Sequence, residues 1–334
     1  MLYVKSLNTA LHEMMSKDRQ VILIGEDILD PYGGAFKVSK GLSTRFPKQV
    51  ISTPISEQSI TGAAIGMAMR GMKPVVEIMF GDFIMLGADQ LLNHLVKYEW
   101  MYNGKVKVPV TIRTTMGGRR GYGPTHSQSL EPILASIPGL KIISPTYYHN
   151  PGELLEYTTL NESGIKIFCE YKMNYPKELL NQTNCQEGIS VKYSDGKYPT
   201  VYLSNSEFYD PEILIISHGG NAILIEDLLM ELLIEHELAV QANFPSLIKP
   251  VVFDELLYGI ENCKTIIVIE ESPKSFGWGN EIVAYMAESG LAERKSFVRV
   301  GADESPIPSS KLLEKKILPS IDDVFHVIKS AGMI

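Results

Sequence analysis

One carboxylate, Glu57, stands at the head of the apolar run Ile60-Thr61-Gly62-Ala63-Ala64-Ile65-Gly66-Met67-Ala68-Met69. Ser56 offers a hydroxyl that can cap the first turn of a helix there, and Gly71 a residue that can end the last. A helix this rich in Gly and Ala packs closely against a neighbour, which turns Glu57 toward an interface rather than water. In such a setting a carboxylate's pKa rises, and the group can hold or donate a proton near neutrality. The segment alone leaves open the plainer alternative, an acidic first-turn residue that complements the helix dipole. A second candidate is His126, in a loop that carries Gly117, Gly118, Gly121 and Gly123 and therefore has a backbone able to approach a ligand closely. Charged, its imidazole stabilises a carboxylate or a developing oxyanion; neutral, it relays protons.

These residues need a scaffold, and the apolar pattern describes one. Short runs at 21–24, 74–80, 108–112, 140–143 and 165–168 read as buried strands, with helices expected near 6–17, 57–70, 87–102 and 149–161. The alternation predicts a largely parallel sheet covered by helices. From 173 to 210 the pattern lapses into Asn, Ser, Tyr and Gly, a linker with a hairpin near Asp195-Gly196. A second unit follows, with strands at 213–216, 238–242, 265–269 and 297–300 and helices near 220–236, 254–262, 278–289 and 321–331. The domains expected are thus 1–175 and 211–334, with a linker at 176–210. In parallel α/β sheets ligands gather beyond the carboxyl ends of strands. Gly25-Glu26-Asp27, Phe80-Gly81-Asp82-Phe83 and the 114–129 loop are therefore expected at such rims.

Composition narrows the function. A formal charge of -8 argues against a nucleic-acid partner. Cys169, Cys185 and Cys263 are far apart, without CxxC spacing, and read as reduced thiols of a cytoplasmic protein. No apolar stretch is long enough to span a bilayer, and the first residues do not read as a signal peptide.

An ordered set of motifs then identifies a resemblance covering roughly residues 20 to 310. It runs through Gly25-Glu26-Asp27, Gly33-Gly34-Ala35-Phe36-Lys37-Val38, Thr53-Pro54-Ile55-Ser56-Glu57, Pro74-Val75-Val76-Glu77-Ile78-Met79-Phe80-Gly81-Asp82-Phe83 and Ala88-Asp89-Gln90. It continues through Val108-Pro109-Val110-Thr111-Ile112-Arg113, His126-Ser127-Gln128-Ser129, Gly277-Trp278-Gly279-Asn280-Glu281 and Pro306-Ile307-Pro308. The chain resembles the beta subunit of the thiamine-diphosphate-dependent, decarboxylating component of 2-oxo acid dehydrogenase complexes, of pyruvate or branched-chain type. The fold implied is α/β with two doubly wound domains, a pyrimidine-binding domain followed by a transketolase C-terminal-like domain.

The resemblance implies that Glu57 bonds the cofactor's pyrimidine nitrogen, that Phe83 forms part of the wall receiving that ring, and that Glu26 joins the cofactor contacts. It gives His126 a role near the 2-oxo acid and in acyl transfer to lipoamide, with Arg113 and Gln128 as supporting groups. The Gly-Asp-Gly opening of a diphosphate site, with its later Asn, is missing from this sequence. An alpha subunit is accordingly expected to hold the diphosphate and Mg2+, in an α2β2 heterotetramer with a second beta chain, served by a lipoyl-bearing acyltransferase. Relatives also imply a potassium ion on backbone carbonyls at Val110, Thr158, Thr159, Asn161 and Ser163, although Asn161 replaces the more usual Asp. The segment Phe244-Pro245-Ser246-Leu247-Ile248-Lys249-Pro250 and Met79 depart from the family pattern, which leaves substrate and partners open. Two alternatives therefore stand beside the dehydrogenase: half of a split transketolase-like carboligase, and a non-catalytic assembly subunit.

Overall fold

The computed structural model describes residues 1–206 and 210–334; residues 207–209 of the expected linker lie outside the described residues. The chain divides into two compact units. The first comprises Met1–Met116, Ile133–Ile143 and Asn150–Leu179, and the second Gly117–Pro132, Ser144–His149 and Leu180–Ile334.

The first unit begins with α1 (Tyr3–Lys17), β1 (Val21–Gly25), α2 (Leu42–Arg45), β2 (Val50–Ser52), α3 (Glu57–Met69) and β3 (Lys73–Ile78). A 3-10 turn (Gly81–Gly87), a π-helical stretch (Gln90–Leu95) and α4 (Val96–Met101) follow, then β4 (Val110–Met116). The short α5 (Glu131–Ala135) precedes β5 (Lys141–Ile143), α6 (Pro151–Asn161) and β6 (Ile165–Tyr171). The strands lie in the order β5-β6-β4-β3-β1-β2 and pair in parallel, Leu23 of β1 lying opposite Val50 and Val75. Every residue of β1 and β4 is buried, which is why these strands read as unbroken runs rather than alternating ones.

Strand order makes β1 a switch point. The chain leaves β1 for β2 on one side and then crosses to β3 on the other, so a crevice opens between the carboxyl ends of β1 and β3. Glu26 follows β1 directly, and Phe80 to Phe83 follow β3. The pattern of the sequence did not reveal β2, which supplies half of this arrangement. It spans three residues, too few to show a period. The single helix expected over 87–102 is instead the 3-10, π and α4 series. That series packs against α3, close enough that a Cβ on Gly87 would meet Thr61 Oγ1 at 3.2 Å.

The second unit contains β7 (Ser190–Tyr193), β8 (Thr200–Ser204), β9 (Ile213–Ser217), α7 (Ala222–His236), β10 (Val240–Pro245) and β11 (Leu247–Lys249). It continues with α8 (Phe253–Leu256), β12 (Thr265–Pro273), α9 (Gly279–Glu288), β13 (Ser296–Ala302), α10 (Lys311–Ile317) and α11 (Ile321–Ser330). Its sheet runs β13-β12-β9-β10-β8-β7, parallel from β13 to β10 and antiparallel beyond. The hairpin expected near Asp195-Gly196 is β7–β8, a working edge of this sheet. Helix α8 stops earlier than its apolar pattern suggests, ahead of Gly259, whose φ of +87° and contact with the Gln241 side chain suit only glycine. Among the described residues no helix is long and apolar enough to cross a membrane.

Candidate active site

Helix α3 begins at Glu57 with Ser56 as its cap, the hydroxyl accepting from the Ser59 N–H at 3.4 Å, and ends ahead of Gly71 at φ +86°. Glu57 is 5% exposed. Burial here follows from helix phase: Glu57, Ile60, Thr61, Ala64, Ile65 and Ala68 form the covered face, which packs on β3, β1 and the 3-10 turn. The other face differs from expectation. Gly62, Ala63 and Gly66 are exposed, so of the small residues only Ala64 and Ala68 help bring α3 against its neighbours within this chain.

Glu26 stands at the switch point and interacts electrostatically with Glu57. Its carboxyl is raised above the ordinary range first by burial, then by the Glu57 and Asp27 charges, while a backbone hydrogen bond at Ser56 opposes the shift. The first unit thus brings Glu26 and Glu57 together. Among the described residues no hydrogen bond or ion pair meets the Glu57 carboxylate, so its oxygens are available to a ligand.

Phe83, half-buried, lies edge-on to Phe80 with ring centroids 5.9 Å apart. Phe80 meets Phe36 at 5.6 Å, and Phe36 stacks on Tyr175 at 5.1 Å. An aromatic surface therefore continues from the β3 rim, as a flat heterocycle requires. A buried carboxylate at the rim and an aromatic wall beside it fit the pyrimidine half of thiamine diphosphate.

Arg113 is held elsewhere. From β4 it donates through Nε and Nη2 to the two oxygens of Glu170 on β6, at 2.8 and 2.6 Å, and through Nη1 to Glu77 on β3 at 2.5 Å. Ser39 also donates to Glu77, and Tyr175 donates to Glu170 at 2.7 Å. Burial raises the Glu77 carboxyl, and Arg113 pulls it back. This network ties three adjacent strands together, and it explains Gly34: a Cβ there would lie 2.5 Å from Glu77 Oε1, at a φ of +79°. Arg113 is a clamp between carboxylates rather than a group presented to substrate.

His126 belongs to the second unit. Its Nδ1 is 2.9 Å from Thr125 Oγ1 and its N–H donates to Gly123 O at 3.3 Å, while Gln128 accepts from the Gly117 N–H. The glycine loop was expected to offer its backbone to a ligand. Instead Gly118 N–H donates to Glu271 at 2.5 Å, and the Arg119 and Gly121 N–H groups donate to Glu314 at 2.7 and 2.9 Å. These two buried carboxylates, from β12 and α10, fix the loop that carries His126. The Gly277-Trp278-Gly279 motif has a similar explanation. Glu270 accepts from the Trp278 and Gly279 N–H groups at 2.7 and 3.1 Å, and its carboxylate fills the space a Gly277 side chain would need.

The positions expected to hold potassium cluster around the carboxyl end of α6. Thr158 and Thr159 are buried, Val110 lies opposite Ile165, and Asn161 and Ser163 are exposed. Three lysines reach the same helix end. Lys166 donates to Glu162 O at 3.0 Å, Lys73 to Leu160 O at 3.4 Å, and Lys141 to both Glu162 carboxylate oxygens at 2.7 Å. Lys73 is paired with Asp18 and Lys141 with Glu162, so these charges are balanced locally.

The sheet orders and rim residues define a two-unit α/β protein of the transketolase type. Residues 1–178 match the family model for the transketolase pyrimidine-binding domain. The beta subunit of mitochondrial pyruvate dehydrogenase E1 from Saccharomyces cerevisiae is 30% identical over 330 residues, covering 97% of this chain and 87% of that one. The beta subunit of acetoin:2,6-dichlorophenolindophenol oxidoreductase from Cupriavidus necator is 29% identical over 329 residues, covering 94% and 92%. A solved structure described as a split-gene transketolase, inactive beta4 tetramer, shares the fold at a TM-score of 0.73 and 16% identity, covering 99% of this chain and 98% of that one. The chain belongs to the transketolase pyrimidine-binding family, among the beta subunits of 2-oxo acid dehydrogenase E1 components.

Proposed function

We propose that this chain is the beta half of a thiamine-diphosphate-dependent enzyme that oxidatively decarboxylates pyruvate or a related 2-oxo acid and passes the acyl group to lipoamide. The observation that carries this reading is the buried Glu57 carboxylate beside Glu26 at the β1 switch point, with the Phe83 and Phe80 rings on the neighbouring rim. Thiamine diphosphate, when bound, supplies a carbon nucleophile for the 2-oxo carbonyl and an electron sink for the departing carbon dioxide. Glu57 holds a proton against the pyrimidine ring nitrogen, Glu26 keeps the rim around it acidic, and Phe83 packs on the ring and excludes water. His126, on its clamped loop, serves the substrate and acyl-transfer steps as a proton donor or an oxyanion partner.

The missing Gly-Asp-Gly and Asn pattern supports a division of labour in which an alpha subunit binds the diphosphate through Mg2+. The exposed Gly62, Ala63 and Gly66 of α3, beside Ile55 at 81% exposure, support pairing with a second beta chain in an α2β2 heterotetramer. Three free thiols support a reducing, cytoplasmic setting. In this reading 1–175 is the pyrimidine-binding domain and 211–334 the C-terminal-like domain, joined through 176–210.

Reconstitution tests the proposal. The purified chain with thiamine diphosphate and Mg2+ is expected to show no decarboxylation, and to gain it when its alpha partner is added. Turnover by the chain alone would contradict the shared site. Transfer to aldehydes without any oxidative decarboxylation by the assembled pair would favour the carboligase alternative.

A further inference from the structure

We propose that Phe36 and Tyr175 are positioning residues for the cofactor: ring by ring, they carry the fixed geometry of the Arg113 clamp to Phe83, the wall of the pyrimidine site. The inference rests on the thiamine-diphosphate reading above and adds to it how that wall is held. Phe83 needs backing. It is half-buried, on the 3-10 turn beyond the end of β3. A side chain left loose there would lose its freedom each time a heterocycle stacked on it, at a cost in affinity.

The series of contacts begins in the clamp. Tyr175 is buried, and its hydroxyl donates to Glu170 Oε2 at 2.7 Å, an oxygen that also accepts from Arg113 Nη2 at 2.6 Å. Burial and the Glu170 charge raise that hydroxyl's pKa well above its ordinary value, so it stays a donor. The Val4 N–H donates to the Tyr175 carbonyl at 3.4 Å, and the Tyr3 ring stands edge-on to it at 6.2 Å. Phe36 lies on this fixed ring, with centroids 5.1 Å apart and an interplanar angle of 30°. The clamp also sets the Phe36 backbone from a second side. Ser39, further along the same loop, donates to Glu77, and Gly34, just before Phe36, packs too closely on Glu77 Oε1 for any Cβ. Two routes thus leave the clamp, through Tyr175 and through Ser39, and both converge on Phe36. From there Phe36 meets Phe80 edge-on at 5.6 Å, and Phe80 meets Phe83 edge-on at 5.9 Å. Lys172 Nζ lies over the Phe80 ring, 5.5 Å from its centroid. All of these residues belong to the first unit.

The test uses the chain assembled with its alpha subunit and reads thiamine diphosphate binding by calorimetry, beside melting temperature and steady-state rates. Phe36→Leu keeps apolar bulk but removes the ring, and is expected to weaken binding roughly three- to tenfold, the scale of one aromatic pair. Tyr175→Phe keeps the ring but cuts its bond to Glu170, and is expected to weaken binding about two- to fivefold. In both, the cofactor concentration for half-maximal rate should rise by more than kcat falls. Phe36→Tyr, which keeps a ring, should bind within about twofold of the parent. Binding as tight as the parent's in Phe36→Leu or in Tyr175→Phe overturns the proposal. So does a lowered melting temperature with unchanged binding, which makes the stack structural only, or equal weakening by Phe36→Tyr and Phe36→Leu. If the parent pair binds no thiamine diphosphate, the reading of the site fails and takes this inference with it, whereas parent binding with unaffected variants overturns this inference alone. Should Phe36→Leu fail to assemble, Tyr175→Phe still decides.

Discussion

A carboxylate is placed for acid chemistry on a ligand when it is buried and its oxygens are left unclaimed by the protein, and Glu57 is placed in that way. It is buried by helix phase, faces Glu26, and has no protein partner for its oxygens among the described residues. Arg113 is the opposite case, since its donors are committed to Glu170 and Glu77. Replacing it with Met leaves two buried carboxylates facing each other and should destabilise the fold by about 3–5 kcal/mol. Urea midpoints of Arg113→Met and of the triple change with Glu77→Gln and Glu170→Gln check this. The triple variant should recover part of the loss, and equal stability of parent and single variant would show the clamp to be idle. The place of Glu57 at the start of α3 was legible in the sequence because its signals are local: a capping Ser, a first-turn position and a closing Gly within fifteen residues. The clamp was not, since residues 77, 113 and 170 meet only through the order of three strands.

Elements explain why His126 sits on a fixed loop. The carboxylates of β12 and α10 bind the loop's amides, so Glu271 and Glu314 are positioning residues for it. Glu314→Ala should free the Arg119 and Gly121 amides, raising their hydrogen exchange by about tenfold or more, on the footing that one or two hydrogen bonds are worth roughly 1.4 kcal/mol or above. Unchanged exchange at those amides would refute the role. The sequence showed the loop's glycines but not their partners, which lie more than 150 residues away and on an element, α10, that went unread. It also showed most long strands and helices correctly, because burial on both faces makes strands continuous and apolar. Short elements such as β2 and α2 carry too few residues for a pattern, and their existence depends on what they pair with.

Across the whole molecule, two buried histidines should govern acid stability. His149 accepts from the Thr146 N–H through Nδ1 at 3.0 Å and lies 3.2 Å from Pro199 O through Nε2, so its neutral form is built into the fold. Burial holds it and His218 down to about 4, from the usual 6.5. With folded values depressed, the unfolded chain binds more protons between pH 6.5 and 4, and stability falls as pH drops through that window. The loss should reach about 2 kcal/mol per histidine by about pH 5. Denaturant midpoints measured between pH 7 and 5 check it, and a flat profile over that range would contradict it. The two-sheet, two-unit architecture and its family were legible from motif order, while the bond from Lys166 to the Glu162 carbonyl at the end of α6 was not, since Lys166 reads in sequence as one more strand residue.

The account's central claim is that Glu57 is an acid working on a bound cofactor rather than a charge at a helix terminus. Glu57→Gln keeps size and hydrogen bonding but removes the acidic proton, and a buried amide costs less than a buried carboxylate, so folding and assembly should survive. The measurement is hydrogen–deuterium exchange at the thiazolium carbon in the enzyme assembled with its alpha subunit. Glu57→Gln should slow that exchange by about a hundred- to ten-thousand-fold, whereas His126→Ala should leave it near the parent rate and slow substrate or acyl-transfer steps instead. Exchange in Glu57→Gln as fast as in the parent would reduce Glu57 to a dipole charge and contradict the mechanism.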